Sequence, residues 1–181
     1  MIERFDHSVD QSLERLRTAR WHRVPDNVFR TASVLGDFSL VWHLTAALRG
    51  LTSDHHANQA MILWLLVALE SLVVNQGIKR LFRRQRPMAS GDPRYTVRTP
   101  STSSFPSGHA SSAFFVATVL IGWDGWAWAP LWLSLAVVVA CSRAYVRIHH
   151  ATDVLGGMVV DRKSTRLNFS HTDISRMPSS A

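Results

Sequence analysis

The sequence predicts an all-α protein: a multi-span transmembrane helical bundle with an N-terminal amphipathic helix. Three observations predict it. Apolar residues make up 46% of the 181 and are gathered into blocks rather than spread evenly. Several blocks approach the ~20 residues a helix needs to cross a bilayer. Polar and charged residues collect where those blocks end. The length suits one domain. The formal net charge of +7 points to an anionic partner, whether nucleic acid, lipid head groups or a phosphorylated substrate. The arginines cluster at segment ends, without the basic and aromatic interleaving of a nucleic-acid groove, so no nucleic acid is expected. The single Cys141 excludes an internal disulfide and a multi-cysteine metal site.

Residues 2–22 read as a helix, with Ile2, Phe5, Val9, Leu13 and Leu16 at three- and four-residue spacing. Such a stripe suits a membrane interface and equally suits packing on a protein core. Its acids Glu3, Asp6, Asp10 and Glu14, and the lack of an apolar core, argue against a signal peptide. Pro25-Asp26 predicts a break. Residues 1–27 are therefore set apart as an interfacial helix, and 28–160 as the membrane domain.

Residues 28–48 are apolar enough to span, but they contain Asp37 and His43, which inside a membrane should face the bundle interior. Leu51–Asn58 reads as a polar loop whose His55-His56 lacks the further ligands of a metal site. Residues 59–78 form the clearest span. Its one charge, Glu70, either tunes a site or pairs with a neighbouring helix. With no stop before Pro87, the helix is expected to run on through Lys79–Gln85. Residues 88–105, rich in Pro, Gly, Ser and Thr, are long enough for a functional cover. A helix then follows Pro106-Ser107-Gly108 to about Trp123, and Asp124-Gly125 turns the chain. Trp126–Val146 forms another span, with Trp126, Trp128 and Trp132 as interfacial anchors. The last helix starts near His149 and loses its apolar character at Asp161, after about 12 residues, too few to cross a bilayer. Residues 161–181 are polar and aperiodic and are expected to be a non-native, foreign tail or a disordered one. They are excluded from functional reasoning.

The chemistry lies at the segment ends. Lys79 and Arg86 are seven residues apart, which on a continuous helix places both, with Arg83, on one face. Guanidinium groups match phosphate oxygens, although such a face can also hold anionic lipid head groups. Ser107, Gly108 and His109 stand at a helix start, where free N–H groups favour an anion. The same string also serves as a plain helix cap. Ser142-Arg143 ends one span. His149 and Asp153, spaced i,i+4, can share a helix face, so the carboxylate can orient the imidazole for attack on phosphorus. A structural His–Asp pair has the same spacing. Together the clusters supply a nucleophile with its orienter, a second histidine for proton transfer, and donors for phosphate oxygens. Cations and N–H groups suffice for that chemistry, so no metal or cofactor is expected.

Lys79-x6-Arg86-Pro87, Pro106-Ser107-Gly108-His109 and Ser142-Arg143-x5-His149-x3-Asp153 resemble the three-part signature of the type 2 phosphatidic acid phosphatase superfamily, complete and in order. The resemblance covers about residues 59–160. It implies a helical, metal-independent membrane phosphatase, usually of six spans, acting on a lipid phosphate or polyprenyl (pyro)phosphate. It implies catalytic roles for His149 as phosphohistidine nucleophile, Asp153 as its orienter and His109 as general acid. Lys79, Arg86, Ser107, Gly108 and Arg143 would hold the phosphoryl oxygens. The present chain shows four spans, a shortened fifth and the amphipathic helix. The competing readings are a non-catalytic anionic-lipid-binding protein of the same fold and a vanadate-dependent haloperoxidase. The expected location is a cell membrane, multi-pass. Loop charge puts the site on the cytoplasmic side and the resemblance puts it outside.

Overall fold

The structure, a computed structural model, describes residues 1–88 and 92–169, with side chains through Val160. Seven α-helices follow one another, and no strand occurs among the described residues: α1 (Ile2–Arg17), α2 (Arg23–Gly36), α3 (Leu40–Gly50), α4 (Asp54–Leu72), α5 (Gly108–Asp124), α6 (Ala129–Tyr145) and α7 (Ala151–Phe169).

Helix α5 is the centre. Ala110, Ala113, Val116, Ala117 and Leu120 are fully buried. Its small residues face α6, where Ala136 and Ala140 are also buried, and small faces let two helix backbones come close. Trp42, Leu63, Val67, Phe115 and Val139 complete the main apolar cluster. Ser107 caps α5 by accepting the Ala110 N–H, and Gly125, at φ 86°, ends its last turn as the expected Asp124-Gly125 turn. The carboxylate of Asp124 then holds Arg49 and the Trp132 indole.

The outer faces of α4 and α6 are apolar and exposed: Met61, Leu65 and Leu69 on one, Leu131 and Val137 on the other. Among the described residues, two stretches are long and apolar enough to cross a membrane, Asp54–Leu81 and Trp126–Tyr145. The expected span over 28–48 is corrected. The chain breaks at Asp37–Ser39, where Phe38 and Ser39 take left-handed φ of 52° and 58°. The two short helices on either side cannot cross as one.

Other boundaries also move. Helix α1 ends at Arg17, not 22, and Pro25 sits inside the first turn of α2, where its missing N–H costs nothing. The boundary drawn at residue 27 therefore falls within α2. The Leu51–Asn58 loop shrinks, because Ser53 caps α4 through the His56 N–H. The helix expected through Gln85 ends at Leu81: α4 passes into a π-turn over Val73–Gly77 and a 3-10 turn over Ile78–Leu81, and Phe82 is extended. At the C-terminus the backbone of α7 stays helical to Phe169, past the compositional change at Asp161. Residues 170–181, the rest of the segment read as foreign, lie outside the described residues.

Helix α1 does not present a simple apolar stripe to the core. Leu13 and Leu16 pack beside Tyr145, Val146 and Ile148. Ile2 and Phe5 face outward, while the charged Asp6 and Arg17 are buried.

Candidate active site

Because the chain is extended after Leu81, Lys79, Arg83 and Arg86 do not share a helical face, which corrects the expected arrangement. Arg86 is instead held by carbonyls. Its Nε donates to Pro100 O at 2.9 Å and its Nη2 to Thr102 O at 3.0 Å. Its Nη1 donates to Ile148 O at 3.0 Å and lies 3.3 Å from His149 Nε2. Pro87 favours this extended backbone at Arg86.

His149 and Asp153 do not stack on one helix face, because His149 precedes the first turn of α7. The His149 Nδ1 to Asp153 Oδ2 distance is 3.7 Å, and Ser104 stands between them. Its hydroxyl donates to Asp153 Oδ2 at 2.5 Å and lies 3.4 Å from His149 Nδ1. Arginine can only donate, so the Arg86 contact makes His149 Nε2 the acceptor and leaves the ring proton on Nδ1, toward Ser104 and Asp153. Burial, opposed by Asp153 and reinforced by the charges of Arg143, Arg86 and Lys79, pushes the His149 imidazole down to about 3. The ring is neutral, with its Nε2 lone pair aimed at cations.

Asp153 is fully buried with both oxygens occupied. Arg84 Nη1 donates to Oδ1 at 2.6 Å, and the His150 N–H donates to Oδ2 at 2.8 Å. The backbone also joins the clusters: Ser107 N–H donates to Asp153 O at 3.0 Å, and Ser104 N–H to Arg84 O at 2.9 Å. Gly156 and Gly157 permit this approach. A Cβ at Gly157 would lie 2.5 Å from Ser107 O, and one at Gly156 would collide with the Phe105 ring.

Around the second histidine, His109 Nε2 lies 3.1 Å from Asp37 Oδ1 without hydrogen-bond geometry. The break after Gly36 aims Asp37 inward, and Gly36 itself must be glycine-sized, since a Cβ there would sit 2.5 Å from the His109 ring. Arg143 is fully buried. Its Nη1 donates to Ser33 Oγ at 2.5 Å and lies 3.6 Å from Asp37. Its Nε and Nη2 have no hydrogen-bond partner among the described residues. Buried guanidinium N–H groups without an acceptor are costly unless an anion arrives.

Lys79, Arg86, Gly108 and His109 line one open pocket of about 1280 Å³, with Asp37, Asn75 and residues 100–103 of the long loop on its rim. That placement fits the mouth-forming role expected of the loop. Ser107, Arg143 and Asp153 are buried behind this surface rather than lining it. His149 lies behind Arg86 and lines a smaller cavity of about 260 Å³ together with Asp6, Arg84 and Arg147. Glu70 accepts the Ser111 hydroxyl at 2.6 Å, pairing with a neighbouring helix, and also lines the pocket, so its two expected readings are not exclusive.

Sequence reasoning missed Ser104, Arg84, Asp6 and Asp37 as parts of the site. Only Asp37 carried a signal, as a charge in an apolar stretch that had to face inward.

The chain is similar to known proteins over most of its length. It is 34% identical over 131 residues to decaprenylphosphoryl-5-phosphoribose phosphatase of Mycolicibacterium smegmatis, covering 71% of this chain and 68% of that protein. It is 33% identical over 92 residues to the undecaprenyl-diphosphatase of Sulfolobus acidocaldarius, covering 50% of this chain and 44% of that one. Among solved structures, a transmembrane PAP2-type phosphatidylglycerolphosphate phosphatase from Bacillus subtilis superposes with a TM-score of 0.61. That match has 21% identity and covers 96% of this chain and 89% of the other, which establishes a shared fold. The profile of the PAP2 superfamily matches residues 59–160, which hold all three polar clusters and make up more than half the chain. The chain belongs to the PAP2 superfamily.

Proposed function

We propose that this protein hydrolyses the phosphate or diphosphate of a lipid or polyprenyl substrate through a phosphohistidine on His149. It is a membrane phosphatase of the PAP2 superfamily. The substrate's apolar chain lies along the outer helices, whose exposed Leu and Val side chains suit several passes through the bilayer. One observation carries the reading. Arg143 Nε and Nη2, unpartnered among the described residues, are buried in the same charge cluster as His149, Arg86 and Lys79, and an anion there would complete them.

His149 Nε2 attacks the terminal phosphorus, and its bond to the lipid oxygen of a monophosphate, or to the bridging oxygen of a diphosphate, breaks. His109 gives its proton to the departing alkoxide, or to the leaving phosphate of a diphosphate. Asp153, through Ser104, supports the charge that develops on the His149 ring. Arg86, Arg143, Lys79 and the N–H of Gly108, on the helix that Ser107 caps, hold the equatorial oxygens. Water then attacks the phosphohistidine, His109 takes its proton, and the nitrogen–phosphorus bond breaks to release inorganic phosphate. These electrostatics come from side chains, and no metal takes part in the scheme.

The test uses detergent-purified full chain with phosphatidic acid, phosphatidylglycerophosphate and prenyl diphosphates, in the presence of chelator. Phosphate release blocked by vanadate is expected, with acid-labile 32P on the wild type. His149→Ala is expected to lower turnover by ~10³-fold or more, since removing a nucleophile removes its pathway. Saturable lipid-phosphate binding without release would mark a binding protein instead.

A further inference from the structure

Asp6 lies on α1, far outside the residues 59–160 matched to the family, yet it reaches the catalytic carboxylate. Its side chain is 6% exposed. Oδ1 accepts the Thr152 N–H at 2.9 Å, and Oδ2 accepts the Thr152 hydroxyl at 2.8 Å and Arg84 Nη2 at 2.6 Å. Arg84 then passes the connection on. Its Nη1 donates to Thr152 Oγ1 at 2.7 Å and to Asp153 Oδ1 at 2.6 Å. Burial pushes the Asp6 carboxyl up, but the Thr152 groups and the Arg84 guanidinium outweigh it and hold it below the usual range.

Two consequences follow from this geometry. The first is electrostatic. Arg84 alone against Asp153 would cancel the carboxylate's field at His149, a ring already influenced by the cationic Arg143, Arg86 and Lys79. Asp6 on the far side of the guanidinium leaves the trio Asp6, Arg84 and Asp153 with one net negative charge, available to an imidazole becoming cationic. The second is positional. Asp6 accepts a first-turn N–H of α7, as a capping residue does, but from another helix. That pins the residue directly before Asp153 and, three residues back, the His149 loop.

We propose that Asp6 is a positioning residue for phosphoryl transfer, acting through Arg84 and Thr152 on Asp153 and His149. The N-terminal helix is thereby part of the working site and not only a membrane or packing element. This rests on the phosphohistidine reading above.

The experiment compares kcat, KM and thermal midpoint for purified full-length variants on a prenyl diphosphate. Asp6→Asn is expected to lower kcat roughly 10–100-fold, as loss of an outer-shell partner does, with KM held within about twofold. Asp6→Glu, which keeps the charge, should recover part of that loss. In Asp6→Asn/Arg84→Gln, kcat should stay within about threefold of Arg84→Gln alone, because both act through one contact. Glu14→Gln breaks other α1 ion pairs, to Arg17, Arg94 and Arg147, and should lower the thermal midpoint while kcat stays unchanged. Unchanged kcat in Asp6→Asn, multiplying losses in the double variant, or an equal kcat loss in Glu14→Gln would overturn the proposal. Should Asp6→Asn fail to fold, Thr152→Val removes the shared hydroxyl. A kcat loss of about threefold or more then supports the proposal, and an unchanged kcat overturns it. A wild type that releases no phosphate sinks the phosphatase reading and this inference together. An active wild type with an equally active Asp6→Asn sinks this inference alone.

Discussion

The walls around the two histidines are built differently. Around His149 the polar groups we describe are engaged within the fold. Asp153 is shared among Arg84, Ser104 and the His150 N–H, and Arg86 is held by four carbonyls. Around His109 the fold leaves groups unsatisfied. The imidazole Nε2 faces Asp37 without a hydrogen bond, and two nitrogens of Arg143 have no acceptor among the described residues. A nucleophile works best when its tautomer and direction are set beforehand, and that is what a saturated network does. A group that gives up a proton and later takes one back must change partners, and an anion site must keep donors in reserve. The contrast fits the proposed roles, with attack on one wall and proton transfer and charge stabilisation on the other.

The sharpest way to break this comparison is His109→Gln. If this wall serves proton transfer, turnover of alkyl and prenyl esters falls by roughly 10²–10⁴-fold. An activated aryl phosphate, whose leaving group needs no proton, should be nearly spared. Steady-state assays on the two substrate types decide it, and equal losses would remove the assignment. Ser104→Ala gives a smaller effect. It removes the hydroxyl between His149 and Asp153 and should lower kcat about 10-fold for every substrate, regardless of leaving group. Substrate-dependent loss there would blur the distinction between the walls.

The smallest effect is on stability. His149 is neutral in the fold, with its ring pushed from 6.5 down to about 3. Below 6.5 the unfolded chain therefore binds a proton that the folded chain refuses. Stability falls as pH drops from 6.5 toward 3 and is unaffected by this residue above 6.5. Thermal midpoints across that window should fall less in His149→Gln than in the wild type.

The polar clusters were legible because each is a dense local string at the edge of an apolar block. The Ser107 cap, the Asp124-Gly125 turn and the long α4 and α6 stretches were legible for the same reason: short-range spacing dictates them. The helix through Gln85 was misread because nothing local announces a π-turn at Val73–Gly77. The 28–48 stretch was misread because hydropathy does not register the left-handed pair Phe38-Ser39. Asp6, Arg84 and Ser104 gave no signal, since isolated charges and hydroxyls look alike until their partners are known.

By itself the sequence determined the helical class, the membrane character and the residue types available for phosphoryl chemistry, all of which follow from composition and spacing within a few turns. Only the tertiary structure decided which arginine reaches Asp153 and which reaches His149, that Ser104 mediates between the two, and that a carboxylate near the N-terminus joins them. Those contacts link residues as far as 146 positions apart. Their partners are selected by close helix packing at Gly36, Gly156 and Gly157, which no local pattern encodes.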